Sequence, residues 1–179
     1  MTRATGLTAL RLLTAPALVV AIYSESPVLA CGIFFFAVGT DIADGWVARR
    51  FAEVTPFGGF ADHAVDATFV CAGSAALAFT GTLPALLPVM IAAAFVQYAA
   101  DSGISARRPL RPSALGRWNG IAYYVIVAVP IVRDALGLAW PGSVLVTGLG
   151  WLLVGTTGIS MADRLRRSWW SRTDPGSPV

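Results

Sequence analysis

Four aspartates punctuate the stretch DIADGWVARRFAEVTPFGGFADHAVD, residues 41–66, in a chain whose other segments are long apolar runs. Asp41 and Asp44 are three residues apart and Asp62 and Asp66 four, so on helices each pair shares one face, and Ala48 continues the face of the first pair. Two antiparallel helices joined by a short turn can aim these pairs at each other, making a cluster of four carboxylates. Ionised together in a partly dehydrated site they repel, and a charge at membrane depth is costly even singly, so positive charge must accompany them. An all-oxygen ligand set favours hard cations such as Mg²⁺, Mn²⁺ or Ca²⁺, and two divalent ions would balance four negative charges. Two-metal sites commonly serve phosphoryl chemistry, clamping the attacking and leaving oxygens around phosphorus. Gly45, Ala48, Gly58 and Gly59 keep the walls low where a ligand would need room. Small residues also let membrane helices pack closely, which is the alternative use for them.

The elements that must position these groups are membrane helices. Of 179 residues 56% are hydrophobic and 13% charged, against roughly 25% charged in a soluble domain. Polar, proline- and glycine-containing breaks divide the chain into six expected helices, at residues 8–23, 28–51, 58–80, 83–104, 116–135 and 142–165. All thirteen basic residues are arginine. With six spans, twelve of them fall on one side and Arg133 alone on the other, which predicts cytoplasmic N- and C-termini under the positive-inside rule. The aspartates then lie at the cytoplasmic end of span two and the cytoplasmic beginning of span three. The expected fold is therefore an all-α integral membrane protein with six transmembrane helices. Residues 1–167 form one membrane domain and 168–179 an interfacial or disordered tail. The arginines sit at span ends rather than in a continuous patch, which argues against nucleic acid. Cys31 and Cys71 lie in apolar stretches without metal-ligand spacing and read as reduced thiols. No small-residue cleavage site precedes Ser24, so the first apolar run reads as a retained span.

Asp41, two residues, Asp44-Gly45, two residues, Ala48-Arg49, eight residues, Gly58, three residues, Asp62, three residues, Asp66: this pattern resembles the signature of the CDP-alcohol phosphotransferase family, with all eight fixed positions present. The opening LTALRLL is also similar to that family's N-terminal segment. The resemblance implies six transmembrane helices with cytoplasmic termini, location in a bacterial cell membrane with the active site facing the cytoplasm, and a homodimer. It implies transfer of a substituted phosphoryl group from CDP-diacylglycerol to an alcohol with release of CMP. Glycerol 3-phosphate or inositol phosphate is the expected acceptor, and two divalent cations, Mg²⁺ or Mn²⁺, are the expected cofactors. Carried over by position, Asp41, Asp44, Asp62 and Asp66 would hold the metals, and Asp66 would also serve as general base. Thr40, Gly45, Ala48, Arg49 and Gly58 would meet the cytidine nucleotide. Arg49 also suits an ordinary snorkelling role.

The connection ARRPLRPSALGRWNG supplies Arg107, Arg108, Arg111 and Arg117, which the resemblance assigns to the phosphate of a phosphorylated acceptor. Contact with anionic lipid headgroups is the alternative for those four. Two features depart from many family members: Ala67 rather than a basic residue follows Asp66, and Gly116-Arg117 stands where glycine-lysine is common. His63, the single histidine, lies one residue off the aspartate face, where a hydrogen bond to a metal-holding aspartate or to another helix suits it better than metal ligation. Asp101 is expected to pair with a loop arginine, Arg133 with Asp134, and Trp169 and Trp170 to anchor the last helix at the interface. Two other classes fit the composition: a divalent-cation transporter using the carboxylates as a transit site, and an inactive relative acting as a scaffold. Clustering of the acids at one membrane face argues against the first, and the intact motif against the second.

Overall fold

The computed structural model describes the backbone over residues 3–51, 56–102 and 114–173, and side chains over 12–43, 60–100 and 114–167. Every described element is helical: α1 (Arg3–Tyr23), α2 (Pro27–Phe51), α3 (Pro56–Phe79), α4 (Leu86–Ser102), α5 (Ala114–Ala135) and α6 (Ser143–Thr173). Six helices were expected and six are present. The tail from Asp174 onward lies outside the described residues.

Helix ends follow local chemistry. Gly81 and Gly137 take positive φ, 78° and 62°, where an L side chain would clash, and each lets the chain turn off its helix. Thr82 N then donates to Leu77 O at 2.8 Å and Leu138 N to Arg133 O at 2.9 Å, the backbone pairing that satisfies the last carbonyls of a helix. Helix α4 starts at Leu86 rather than residue 83, because Leu83 and Pro84 complete the turn: Leu87 N donates to Pro84 O at 3.0 Å. Helix α6 continues eight residues beyond the expected end. Asp163 pairs with Arg167 at 2.7 Å and Arg166 at 3.8 Å, and basic residues near a helix C-terminus are further favoured by its dipole.

Around the bundle, α1 packs against α2 and α3, α3 against α4, α4 against α6, α6 against α5, and α5 closes the ring on α2 while also touching α3 across the middle. The centre is an aromatic group from three helices. Phe34 of α2 lies 5.8 Å from Phe69 of α3 and 6.3 Å from Tyr124 of α5, and Phe69 stacks on Tyr124 at 6.2 Å. Leu18, Leu87, Val127 and Val146 are fully buried elsewhere in the core. Close approach needs glycine at two places. A Cβ on Gly73 would stand 3.0 Å from Val127 Cγ1, and one on Gly150 2.5 Å from Pro84 Cδ.

Polarity is arranged inside out. Thr14, Ser74, Asn119, Thr157 and Ser160 are buried, whereas Val28, Phe36, Phe79, Val144, Leu152 and Ile159 face outward. A contiguous apolar exterior over a partly polar interior marks a protein embedded in lipid. Residues 114–135 and 143–167 form helices long and apolar enough to cross a membrane. Cys31 and Cys71 are free thiols, as expected. The Cys71 thiol donates to Pro88 O at 3.4 Å.

Candidate active site

The Phe34–Phe69 contact fixes the relative height of the aspartates. Helices α2 and α3 are antiparallel, Asp41 lies seven residues after Phe34, and Asp62 seven residues before Phe69. At about 1.5 Å per residue both carboxylates stand about 10 Å above the aromatic contact, at the same end of the bundle. Asp66 lies one turn nearer that contact. The structure thus brings Asp41, Asp62 and Asp66 to one end, and each of them is engaged in a polar or electrostatic contact.

The side chains of Asp44, Gly45, Ala48, Arg49 and Gly58 lie outside the described residues, as do Arg107, Arg108 and Arg111 and the side chain of Asp101. Among the described residues no three Asp, Glu, His or Cys side chains form a closed metal-binding group. The described donors at this end, Asp41, Asp62 and Asp66, are all carboxylate, a set that fits a hard divalent cation. Thr40 donates its hydroxyl proton to Ala37 O at 2.8 Å, which leaves only lone pairs for a ligand.

Two cavities open at this end, with Tyr124 in the wall of both. The smaller, about 250 Å³, lies between α2 and α5 and includes Asp41 with Phe34 and Val38. The larger, about 490 Å³, is walled by α3, α4, α5 and α6. Its lining repeats with helical period: His63, Asp66, Ala67 and Val70 from α3, and Thr157, Ser160, Met161 and Arg164 from α6, each spaced i, i+3, i+4, i+7. Helix α5 contributes Arg117, Asn119 and Tyr123. The candidate base Asp66 therefore shares one chamber with two guanidinium groups, those of Arg117 and Arg164.

His63 packs on α4 while lining the chamber beside Asp66. Its ring meets Tyr98 edge-on at 4.6 Å and Phe95 at 5.9 Å, an aromatic contact between helices rather than the hydrogen bond expected of it. Above the same Tyr98 ring the Arg164 guanidinium sits at 5.4 Å, within range of a cation–π attraction. Arg166 and Arg167 differ from Arg164, since both turn to Asp163 on the exposed side of α6. Arg164 was not among the expected site residues. Its phase relative to Thr157 and Ser160 was the available signal, masked by an arginine-rich run that also satisfies the positive-inside rule.

Below the charged groups the chamber is neutral and polar. Tyr123 Oη lies 2.6 Å from Thr157 Oγ1, and Thr157 donates to Leu153 O at 2.6 Å. A threonine hydroxyl has one proton, so Tyr123 is the donor to Thr157 and keeps free lone pairs. Asn119 is 5% exposed and its Nδ2 has no hydrogen-bond partner among the described residues. At the opposite end, Arg133 pairs with Asp134 at 2.7 Å, as expected, and also donates to Pro141 O at 3.2 Å, bracing the α5–α6 turn.

Comparison with known proteins gives the chain's relatives. A probable phosphatidylglycerophosphate synthase of Mycobacterium tuberculosis is 30% identical over 170 residues, covering 90% of this chain and 80% of its own. A CDP-diacylglycerol–glycerol-3-phosphate 3-phosphatidyltransferase of Haemophilus influenzae is 32% identical over 127 residues, covering 65% and 68%. A CMP-forming cardiolipin synthase of Oryza sativa subsp. japonica is 25% identical over 190 residues, covering 94% and 58%. The family model for CDP-alcohol phosphatidyltransferases matches residues 1–159. With its aspartate signature at one end of a six-helix bundle and that match spanning most of its length, the chain belongs to the CDP-alcohol phosphatidyltransferase family.

Proposed function

We propose that this protein transfers the phosphatidyl group of CDP-diacylglycerol to glycerol 3-phosphate, releasing CMP, in phospholipid synthesis. The observation that carries the reading is the 490 Å³ chamber in which Asp66 faces the same space as Arg117 and Arg164. Its volume is within the roughly 300–1,000 Å³ usual for small-molecule sites. Two guanidinium groups suit a phosphate dianion, and guanidinium forks bind phosphate oxygens in pairs. The relatives in Mycobacterium tuberculosis and Haemophilus influenzae, by their names, support glycerol 3-phosphate over other phosphorylated alcohols.

In the proposed reaction the acceptor hydroxyl oxygen forms a bond to the phosphorus carrying diacylglycerol. The bond from that phosphorus to the CMP oxygen breaks, CMP takes the electron pair, and the hydroxyl proton passes to the Asp66 carboxylate. Asp41, Asp44, Asp62 and Asp66 would hold divalent cations, which when bound neutralise the carboxylates and the donor diphosphate. Thr40, Gly45, Ala48, Arg49 and Gly58 would meet the nucleotide, and Arg107, Arg108 and Arg111 would join Arg117 at the acceptor phosphate.

Six membrane spans, with both termini and the aspartate end on the cytoplasmic side, belong to the same proposal. The apolar exterior and the gathering of twelve of thirteen arginines toward that side support it.

The test is CMP release by purified protein in detergent with CDP-diacylglycerol and Mg²⁺ or Mn²⁺, with glycerol 3-phosphate, inositol phosphate, inositol, serine and phosphatidylglycerol offered separately. Release dependent on glycerol 3-phosphate, with phosphatidylglycerophosphate as product, is the expected result. Release with only another acceptor would reassign the substrate. Folded protein giving no acceptor-dependent release would overturn the reading.

A further inference from the structure

The wall of the large chamber contains a polar group that the transfer chemistry does not use. Asn119 is 5% exposed, its Nδ2 has no partner, and it lines the chamber one helical turn from Tyr123. Tyr123, having donated its proton to Thr157, presents only lone pairs. One neutral donor and one neutral acceptor therefore stand four residues apart on the same face of α5.

Their height relative to the candidate base follows from the Phe69–Tyr124 stack, whose ring centroids are 6.2 Å apart. Helices α3 and α5 run in the same direction, so three residues back from each ring Asp66 is level with Ile121. Asn119 and Tyr123 then lie about 3 Å to either side of that level. Arg117 is about 3 Å further out than Asn119.

Resting on the phosphatidyl transfer to glycerol 3-phosphate proposed above, we infer that Asn119 and Tyr123 form a subsite for the acceptor's second hydroxyl, the one on the carbon between the phosphate and the attacking hydroxyl. The phosphate lies toward Arg117 and Arg164, the attacking hydroxyl at Asp66, and the middle hydroxyl accepts from the Asn119 amide and donates to Tyr123 Oη. Nδ2 sits just beneath the chamber wall. A swing about χ2, a broad torsion in asparagine, brings the amide to the ligand. Exchange of the amide's oxygen and nitrogen alters which partner donates and leaves an unpaired atom all the same. Desolvation of this amide is already incurred in the free protein, so a ligand hydroxyl recovers a hydrogen bond without that cost.

The experiment titrates glycerol 3-phosphate and 3-hydroxypropyl phosphate, which lacks only the middle hydroxyl, into wild-type protein, Asn119→Leu and Tyr123→Phe by calorimetry in detergent. CMP release is measured on the same preparations. Wild-type protein is expected to prefer glycerol 3-phosphate by about ten-fold or more. Either variant should reduce that preference to within about three-fold by weakening glycerol 3-phosphate while leaving its analogue nearly unchanged. A merely structural role would weaken both ligands together. Tyr123→Phe keeps the ring packing, so it decides the matter if Asn119→Leu does not fold. Absence of preference in the wild type, its persistence in both variants, or equal weakening of both ligands would overturn the inference. Failure of glycerol 3-phosphate to bind would overturn it too, and CMP release with another acceptor would then show that the transferase reading survives separately.

Discussion

Gly150→Ala tests whether the seating of α6 on the α3–α4 turn holds the chamber together. A Cβ at this position would stand 2.5 Å from Pro84 Cδ, 3.1 Å from Pro84 Cγ and 3.4 Å from Leu83 Cδ2. Carbon atoms pack best at about 3.5–4.0 Å, so roughly 1 Å of separation must be found. It cannot come from a side-chain rotation, because the obstacle is a proline ring fixed to the backbone. Helix α6 must retreat, and its Thr147 hydroxyl, one turn away, then draws off Thr82 O, to which it donates at 3.0 Å. Overpacking costs about 1–3 kcal/mol, and a strained or lost hydrogen bond about 0.5–1.5 kcal/mol more. The expected loss is about 1.5–4.5 kcal/mol, the sum of those two terms. Reversible unfolding in mixed micelles, with Gly148→Ala as control, measures it. A Cβ on Gly148 meets nothing within 4 Å, so that variant should match or exceed wild type, alanine being the better helix former. Gly150→Ala within about 0.5 kcal/mol of Gly148→Ala, the usual range for a substitution touching nothing, would refute the packing argument.

Three further outcomes are expected. Asp66→Asn preserves shape but cannot accept the hydroxyl proton, and turnover should fall by at least about 10²–10⁴-fold; full activity would remove Asp66 as base. Arg164→Gln should raise KM for glycerol 3-phosphate by roughly ten-fold or more, because a charged hydrogen bond contributes about 1.5–3 kcal/mol. An unchanged KM would return Arg164 to the role of an interfacial charge. Chelation with EDTA should abolish CMP release and added Mg²⁺ or Mn²⁺ restore it, whereas undiminished release in EDTA would remove the metal role of the aspartates.

Spacing made the aspartates legible. Pairs at i+3 and i+4 need only helices to share faces, and the aromatic Phe34–Phe69 contact supplies the relative height that the sequence left implicit. Six apolar runs made the helix count legible, because breaks such as TGTLP and LGLAWPG are written in residues that stop helices. The lining of the large chamber was not. On α6, Thr157, Ser160 and Arg164 keep perfect helical phase, yet small polar residues in phase serve equally as packing contacts between membrane helices. Only the position of α4 and α5 beside that face distinguishes the two uses. Asn119 lay within a connection read for its arginines, and its burial depends on α5 beginning at Ala114 and turning that residue inward. Arg164 was hidden for a related reason: its neighbours Arg166 and Arg167 do occupy the exposed side, held by Asp163.

The aromatic centre also constrains how charge can be managed at the site. Phe34, Phe69 and Tyr124 close the bundle beneath the carboxylates, and below them lie Leu18, Val127 and Leu87, fully buried. Water cannot solvate Asp41 or Asp66 through that layer, so their charge must be answered from the sides and from the open end. The described walls of the two cavities differ. Around Asp41 the smaller cavity is walled by Phe34, Val38, Val125 and Ala128, with the tyrosine Tyr124 between it and the larger chamber. Around Asp66 the wall carries Arg117, Arg164 and a set of neutral hydrogen-bonding groups. The same two-residue-type motif thus enters two different environments, and the difference comes from the helices opposite the aspartates, not from the aspartates themselves.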